Sequence, residues 1–327
     1  MSPLVSIRDL RVAFSGVPVL RGVDLALGKG EAVGLVGESG SGKSVTWLAA
    51  LGLLPRQAHV SGSVQLEGRE LLGAPTAELD RVRGGRIAMI FQDPASALNP
   101  VLTIRKQLCE ALALHRGLQG NVAKAEARRL LDLVGIPDAV RRLEAYPHEF
   151  SGGQVQRIMI AMALAGNPDL LIADEPTTAL DATIQAQILE LLSTVRREMS
   201  MAMVLISHDL GVVAENCDRV AVMYAGRIVE QAPSNQLFAD PVHPYAQGLI
   251  GALPPLDGPR RRLTAIPGTV PDPAMMPSGC AFAPRCAIAA EPCGHAAPTL
   301  APISDGRTVA CIRAEASRRA LLGIAAE

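Results

Sequence analysis

The sequence predicts an α/β fold: a parallel sheet carrying the chemistry, a small antiparallel β portion, a helical portion and an irregular, cysteine-bearing C-terminal extension. Three observations predict it. Short apolar runs at residues 33–36, 170–173 and 204–206 stop abruptly at Gly37, at Asp174-Glu175 and at Ser207-His208. Such runs suit buried parallel strands, whose carboxyl ends face the ligand. Stretches of helical period separate them, and the last part of the chain is crowded with Pro, Gly and Cys.

Composition bounds the answer. The 327 residues allow one large or two medium domains with a substantial core. Lys+Arg 31 against Asp+Glu 32 gives a net charge of −1, so there is no basic footprint for nucleic acid. Hydrophobic residues make up 49% and aromatic ones only 3%, so the core is built from Leu, Val, Ile, Ala and Met. The apolar run 158–166 breaks at Asn167-Pro168-Asp169, short of the ~20 residues that span a bilayer. Arg8, Asp9 and Arg11 interrupt any leader-like stretch. The expectation is a cytosolic chain that meets a membrane only through a partner.

Taken in order, residues 5–14 alternate apolar and polar (Val5, Ile7, Leu10, Val12, Phe14), and residues 19–27 repeat the pattern before the turn Gly28-Lys29-Gly30. Phe14 is either a core residue or a flat face on which an adenine stacks. Next comes Gly37-Glu38-Ser39-Gly40-Ser41-Gly42-Lys43-Ser44, which fits the phosphate-binding P-loop between a strand and a helix. Its glycines let backbone N–H groups approach a phosphate at a helix N-terminus. Lys43 supplies a point charge to the β/γ-phosphates, and the Ser44 hydroxyl ligates Mg²⁺. A short strand follows at residues 64–67. Residues 87–91 form an apolar strand ending at Gln92, expected beside the P-loop strand, where the amide reaches Mg²⁺ or the attacking water.

From Thr103 to about Val140, Leu108, Leu112, Leu130, Leu131 and Val134 recur at near-helical spacing. Ser151-Gly152-Gly153-Gln154 then opens an apolar helix, with Ser151 as N-cap and the glycines as a second anion-binding turn. The strand 170–173 ends in Asp174-Glu175. Charges placed there need a cation or a reaction, because burying them alone costs several kcal/mol. Asp174 holds the Mg²⁺ shell, and Glu175 is the general base toward water. His208 ends the next apolar strand and donates to the γ-phosphate.

Gly37 to Ser44, Gln92, Ser151-Gly152-Gly153-Gln154, Asp174-Glu175, Ala179-Leu180-Asp181 and His208 stand in the order seen in ATP-binding cassette ATPases, which the chain resembles. The resemblance implies a sandwich dimer, each ATP lying between one subunit's P-loop and the other's Ser151-Gly152-Gly153 turn. It implies that Phe14 is the adenine-stacking aromatic and Asp181 the residue communicating across the dimer. A narrower likeness follows from residues 91–100, from Tyr146-Pro147-His148-Glu149-Phe150 and from His243-Pro244-Tyr245. These resemble the ATPase subunits of dipeptide, oligopeptide and nickel importers, and Gly279-Cys280-Ala281-Phe282-Ala283-Pro284-Arg285-Cys286 with Cys293 and Cys311 resemble the carboxy-terminal extension of that group, most like the D-type of its two paired ATPases. Gln154-Val155-Gln156-Arg157 departs from the usual Met-Arg-Gln-Arg without losing a nucleotide contact.

The implied layout is a cassette over residues 1–240, with its helical subdomain at about 100–165, and an extension over 241–327. The implied partners are two transmembrane permease subunits, a second and non-identical ABC ATPase and, indirectly, a solute-binding protein. The implied place is the cytoplasmic face of the inner membrane, held peripherally, with a permease helix received around Gln92 to Asn99. Nickel or another small solute is the alternative cargo. A non-transport ABC ATPase is the alternative class, although the DNA-repair type needs a long coiled coil between Gln92 and Ser151, and the translation type needs two cassettes.

In the tail, Cys280, Cys286, Cys293 and Cys311 follow C-x5-C-x6-C-x17-C amid many Pro and Gly residues. Such a segment buries little apolar surface and needs a staple, and disulfides are disfavoured in the cytosol. Four thiolates around one metal meet that need; four unrelated buried thiols are the plainer reading. Structural zinc favours C-x₂₋₄-C pairs, whereas a [4Fe–4S] cluster accepts cysteines on a wrapped loop. The resemblance also points to iron–sulfur. The expectation is a [4Fe–4S] site, with Zn²⁺ as the alternative, distant from the ATP, its charge offset by Arg285 and Arg313.

Overall fold

The computed structural model describes residues 2–92, 97–178, 180–253, 265–304 and 306–321. Its strands, in chain order, are β1 (Val5–Phe14), β2 (Val17–Leu27), β3 (Ala32–Val36), β4 (Ala58–Leu66), β5 (Arg69–Glu70), β6 (Ile87–Ile90), β7 (Leu170–Asp174), β8 (Ala202–Ile206), β9 (Arg219–Tyr224), β10 (Arg227–Pro233), β11 (Ala301–Ser304) and β12 (Arg307–Val309). The chain forms two compact units. One comprises Met1–Leu27, Ala32–Leu72 and Ser207–Glu327; the other comprises Gly28–Glu31 and Gly73–Ile206.

In the first unit β1 lies between β2 and β4, antiparallel to both, and β5 extends β4. Of the residues predicted to face inward, Val5, Ile7, Leu10 and Val12 are buried and Phe14 is half-buried, but the strict alternation is broken at Arg8-Asp9, where the register against β2 shifts between Ile7 and Leu10. Ser15 and Gly16 join β1 to β2 with φ of 49° and 83°, the left-handed pair of a tight hairpin turn whose twist matches its strands. The same unit holds β3, buried along its whole length and parallel to β9. β10 continues antiparallel, followed by β12 and β11 of the C-terminal extension.

Glu230 in β10 anchors that extension. Its fully buried carboxylate accepts from the Val242 and His243 amides, at 3.0 and 2.7 Å, and from Arg307 on β12 at 3.1 Å. Burial pushes its carboxyl up from the ordinary range, and these donors oppose the shift. Removing one member of such a buried pair costs about 3–5 kcal/mol.

In the second unit β6, β7 and β8 run parallel in that order. The neighbour of β6 is therefore β7, which corrects the expectation that Gln92 sits on a strand beside the P-loop strand. The predicted helical stretch resolves into helices Ile104–Arg116 and Gly120–Leu133. Gly117 ends the first with φ 67°, the left-handed C-cap that glycine adopts at no steric cost. Leu108, Leu112, Leu130, Leu131 and Val134 are all buried, as their spacing predicts. Helices Gly152–Leu164 and Ala182–Glu198 complete the unit. Among the described residues no helix is long and apolar enough to cross a membrane.

Candidate nucleotide site

β3 hands over to the helix Lys43–Ala50 through a turn that is closed to side chains at Gly37 and Gly42. A Cβ at Gly37, where φ is +150°, would stand 2.1 Å from the Met223 carbonyl oxygen; at Gly42, where φ is +104°, it would stand 2.5 Å from a Leu20 methyl. The turn is pinned from outside by the Gly226 amide donating to the Ser41 carbonyl at 2.9 Å. Lys43 Nζ donates to the carbonyls of Gly37 and Glu38 at 2.8 and 3.1 Å. Ser39 and Gly40 are exposed, and Ser44 is half-buried. No acid occupies the first helical turn, so the positive helix end is left for an anion. Phe14 ends β1 half-buried, opposite Val17 and Ala58.

The extension reaches this turn directly. The Glu38 amide donates to Tyr245 Oη at 2.8 Å. Both Glu38 carboxylate oxygens accept from Arg285, at 2.7 and 2.9 Å. The Arg285 side chain is only 4% exposed; it also donates to the Pro267 carbonyl and the Tyr224 hydroxyl. Its bond to Glu38 raises its pKa. Tyr224, Tyr245 and Phe282 pack with ring centroids 4.5–5.4 Å apart beneath it. The sequence suggests Arg285, with Arg313, as a charge offsetting the four-cysteine site. The fold instead gives Arg285 to the P-loop, because a buried guanidinium takes the carboxylate that meets its fork.

In the second unit Asp174 closes β7 and is 6% exposed. Glu175 follows at φ 49°, a left-handed conformation that costs a non-glycine residue of order 1–3 kcal/mol and clusters at functional positions. Its amide donates to the Ile206 carbonyl at 2.9 Å. Its carboxylate Oε2 accepts from Gln92 Nε2 and Thr178 Oγ1, both at 2.9 Å. The structure thus brings Gln92 to Glu175; Thr178 is a partner that the sequence reading missed. In the first unit His208 is exposed, and Asp209 caps the helix Leu210–Asn216.

Ser151 N-caps the helix Gly152–Leu164, and Gln154 Oε1 accepts from the Ser151 amide at 3.2 Å. Gln154 closes its own helix end in this way, as S-x-x-Q capping boxes do. A Cβ at Gly152 would meet nothing within 4 Å. Gln156 is buried and donates to the Pro176 carbonyl; Arg157 reaches the Val134 carbonyl and Gln187. Asp181 N-caps the helix Ala182–Glu198 through the Ile184 amide at 3.0 Å. Ala179 and residues 93–96 lie outside the described residues.

The four tail cysteines line one pocket with Phe282 and Ile288. The backbone around them turns tightly: the Ala283 amide donates to the Cys280 carbonyl at 3.0 Å and the Cys280 amide to the Cys293 carbonyl at 2.8 Å. Burial pushes the Cys280 and Cys286 thiols up and takes Cys311 to about 11. The cations that oppose this are Arg21 at Cys280 and Arg313 at Cys286. Among the described residues no group of three or more His, Cys, Asp or Glu is set to hold a metal ion, and all six cysteines are free thiols.

A buried strand that enters a helix through this glycine turn, with Gly37 and Gly42 admitting no Cβ and Lys43 opening the helix, is the phosphate loop of a P-loop NTPase. Comparison with known proteins narrows this class. Residues 20–178 match the ABC transporter family, and residues 229–293 match the oligopeptide/dipeptide transporter C-terminal region. The oligopeptide transport ATP-binding protein OppD of Haemophilus influenzae is 49% identical over 315 residues, covering 95% of this chain and 97% of that protein. OppD of Escherichia coli is 48% identical over 314 residues, covering 95% and 93%. A dimeric ATP-binding cassette in a post-hydrolysis state, bound to ADP and phosphate, superposes with a TM-score of 0.62 at 28% identity, over 70% of this chain and 98% of that one. The chain belongs to the ABC transporter family, in its oligopeptide/dipeptide group, and is an ATPase that works with ATP and Mg²⁺.

Proposed function

We propose that this chain powers the uptake of di- or oligopeptides as a peripheral subunit on the cytoplasmic face of the cell membrane. Two permease subunits and a second, non-identical ATPase complete the complex, with a solute-binding protein delivering cargo. The observation that carries this reading is the match beyond the cassette, at residues 229–293, together with relatives named for oligopeptide transport along nearly the whole chain. In this reading the cassette spans 1–240 and the extension 241–327.

The roles follow from the chemistry of each side chain. The turn from Gly37 to Ser44 binds the phosphates, Lys43 supplies the cation, and Phe14 stacks on the adenine. Ser44, Gln92 and Asp174 belong to the Mg²⁺ shell. Glu175 accepts the proton of the attacking water, and His208 donates to the γ-phosphate. The bonds from Gln92 and Thr178 support this by orienting the Glu175 carboxylate. Phosphoryl transfer needs mainly positioning and charge neutralisation. A partner's Ser151-Gly152-Gly153 turn and Asp181 would complete each site, so hydrolysis depends on closure. Phe91 and Val101, 44% and 75% exposed, flank the segment offered to a permease helix.

The test is reconstitution in liposomes with the permeases and ATPase encoded alongside. Peptide-loaded binding protein should stimulate ATP hydrolysis. Stimulation only by nickel-loaded binding protein would hand the cargo to the metal alternative.

In the extension, Cys280, Cys286, Cys293 and Cys311 would hold a [4Fe–4S] cluster, with Zn²⁺ the alternative. Support comes from the one pocket that all four cysteines line, since four thiol donors around one space are what such a cluster requires. The cluster's contribution is to cross-link the tail. Anaerobically purified chain should be brown, and Cys293→Ser should lose the colour; a colourless preparation with one zinc per chain decides for zinc.

A further inference from the structure

We propose that the C-terminal extension is a clamp on the P-loop, in which Arg285 and Tyr245 are positioning residues for ATP binding. This rests on the reading that the P-loop binds the ATP phosphates.

Glu38 is held at both ends. Tyr245 takes its backbone N–H at 2.8 Å, and Arg285 takes both oxygens of its side chain. The loop cannot slide away from this grip, because the preceding Gly37 already abuts the Met223 carbonyl. Lys43 donates to the carbonyls of Gly37 and Glu38, the residues fixed by these contacts. The resting place of the lysine ammonium is therefore set by residues some 200 positions further along the chain. Arg285 is itself immobilised by the Pro267 carbonyl, the Tyr224 hydroxyl, and the faces of Tyr224 and Phe282, each ring 5.8 Å from the guanidinium carbon. A two-bond fork fixes orientation as well as distance, which a lone ammonium does not. A pre-ordered loop binds more tightly because less ordering remains to be done on association.

Local density of charge does not explain the pairing. The Arg285 guanidinium is turned toward Glu38, the Pro267 carbonyl and the Tyr224 hydroxyl, although its chain neighbour is Cys286. Its bidentate partner lies in the glycine turn, 247 residues away in sequence.

The test uses the full-length chain and Mg–ATP, with binding read by calorimetry and by fluorescence of Trp47, the single tryptophan, buried in the helix behind the turn. Arg285→Met and Glu38→Gln should each raise the ATP dissociation constant about tenfold, as expected for a lost charged hydrogen bond. The double variant should be no worse than either single one, and Arg285→Lys should restore part of the affinity. Tyr245→Phe removes only a hydroxyl from an apolar cluster and should fold even where Arg285→Met does not; it should weaken binding roughly fivefold. Lys43→Ala serves as the reference. If it binds ATP normally, the P-loop reading itself fails. If it loses ATP while folded Arg285→Met and Tyr245→Phe bind like the parent, the clamp is overturned.

Discussion

Two glycine turns open helices in this chain, and they are supported in opposite ways. The turn from Gly37 to Gly42 is enclosed at its two ends, where Gly37 and Gly42 leave no room for a Cβ, and Glu38 is gripped at amide and carboxylate; only Ser39 and Gly40 at its tip are open. The turn at Ser151-Gly152 is bare, with exposed residues, open space over Gly152 and only a local cap from Gln154. A turn that must hold a nucleotide by itself profits from being ordered beforehand. Under the function proposed above, the second turn completes another subunit's site and so has to remain uncovered.

The contrast can be broken by measurement. The largest effect expected is on turnover. Glu175→Gln should lower phosphate release by the reconstituted complex about 10²–10⁴-fold, while ATP affinity stays within about twofold. Lys43→Ala should weaken ATP binding to the isolated chain by roughly 10–100-fold. Ser151→Ala should leave that affinity unchanged and lower only the turnover of the assembled complex; equal losses of affinity would erase the distinction between the two turns.

Alanine probes the enclosure directly. Gly37→Ala, with a left-handed φ and a carbonyl in the way, should cost about 2–3 kcal/mol in denaturant unfolding. Gly152→Ala meets open space and should change stability by less than about 1 kcal/mol.

The smallest effect is in acid. Arg129, then Arg116, hold Glu126 down to about 2 from 4.5. The folded state therefore binds this proton less readily than the unfolded chain. Its contribution is complete above pH 4.5 and is lost as pH falls toward 2. Glu126→Gln should flatten that part of the stability profile.

The enclosed turn was largely legible in the sequence, because strand, glycines, Lys43 and helix are contiguous. The acid pair was legible for the same reason: an apolar strand ending in Asp174-Glu175 has few uses. Gln154 could have been read as a cap from S-x-x-Q alone. The partners of Gln92 and Arg285 could not. Glu175 lies 83 residues from the one, and Glu38 lies 247 from the other. Such pairings are decided by how strands and tail pack, and no local periodicity records them. The four cysteines of the tail are legible as a spacing, but that all of them line one pocket is decided by how the tail folds.

The distance between Glu38 and Arg285 also has a meaning in time. At about 5–20 residues per second, synthesis takes roughly 12–50 s to pass from one to the other. Throughout that interval the emerging chain carries a full glycine loop and no clamp. High nucleotide affinity then arrives only as the last segments join β10. A chain ended early, with every cassette motif intact, would stay a weak ATP binder and would not fire a half-built transporter.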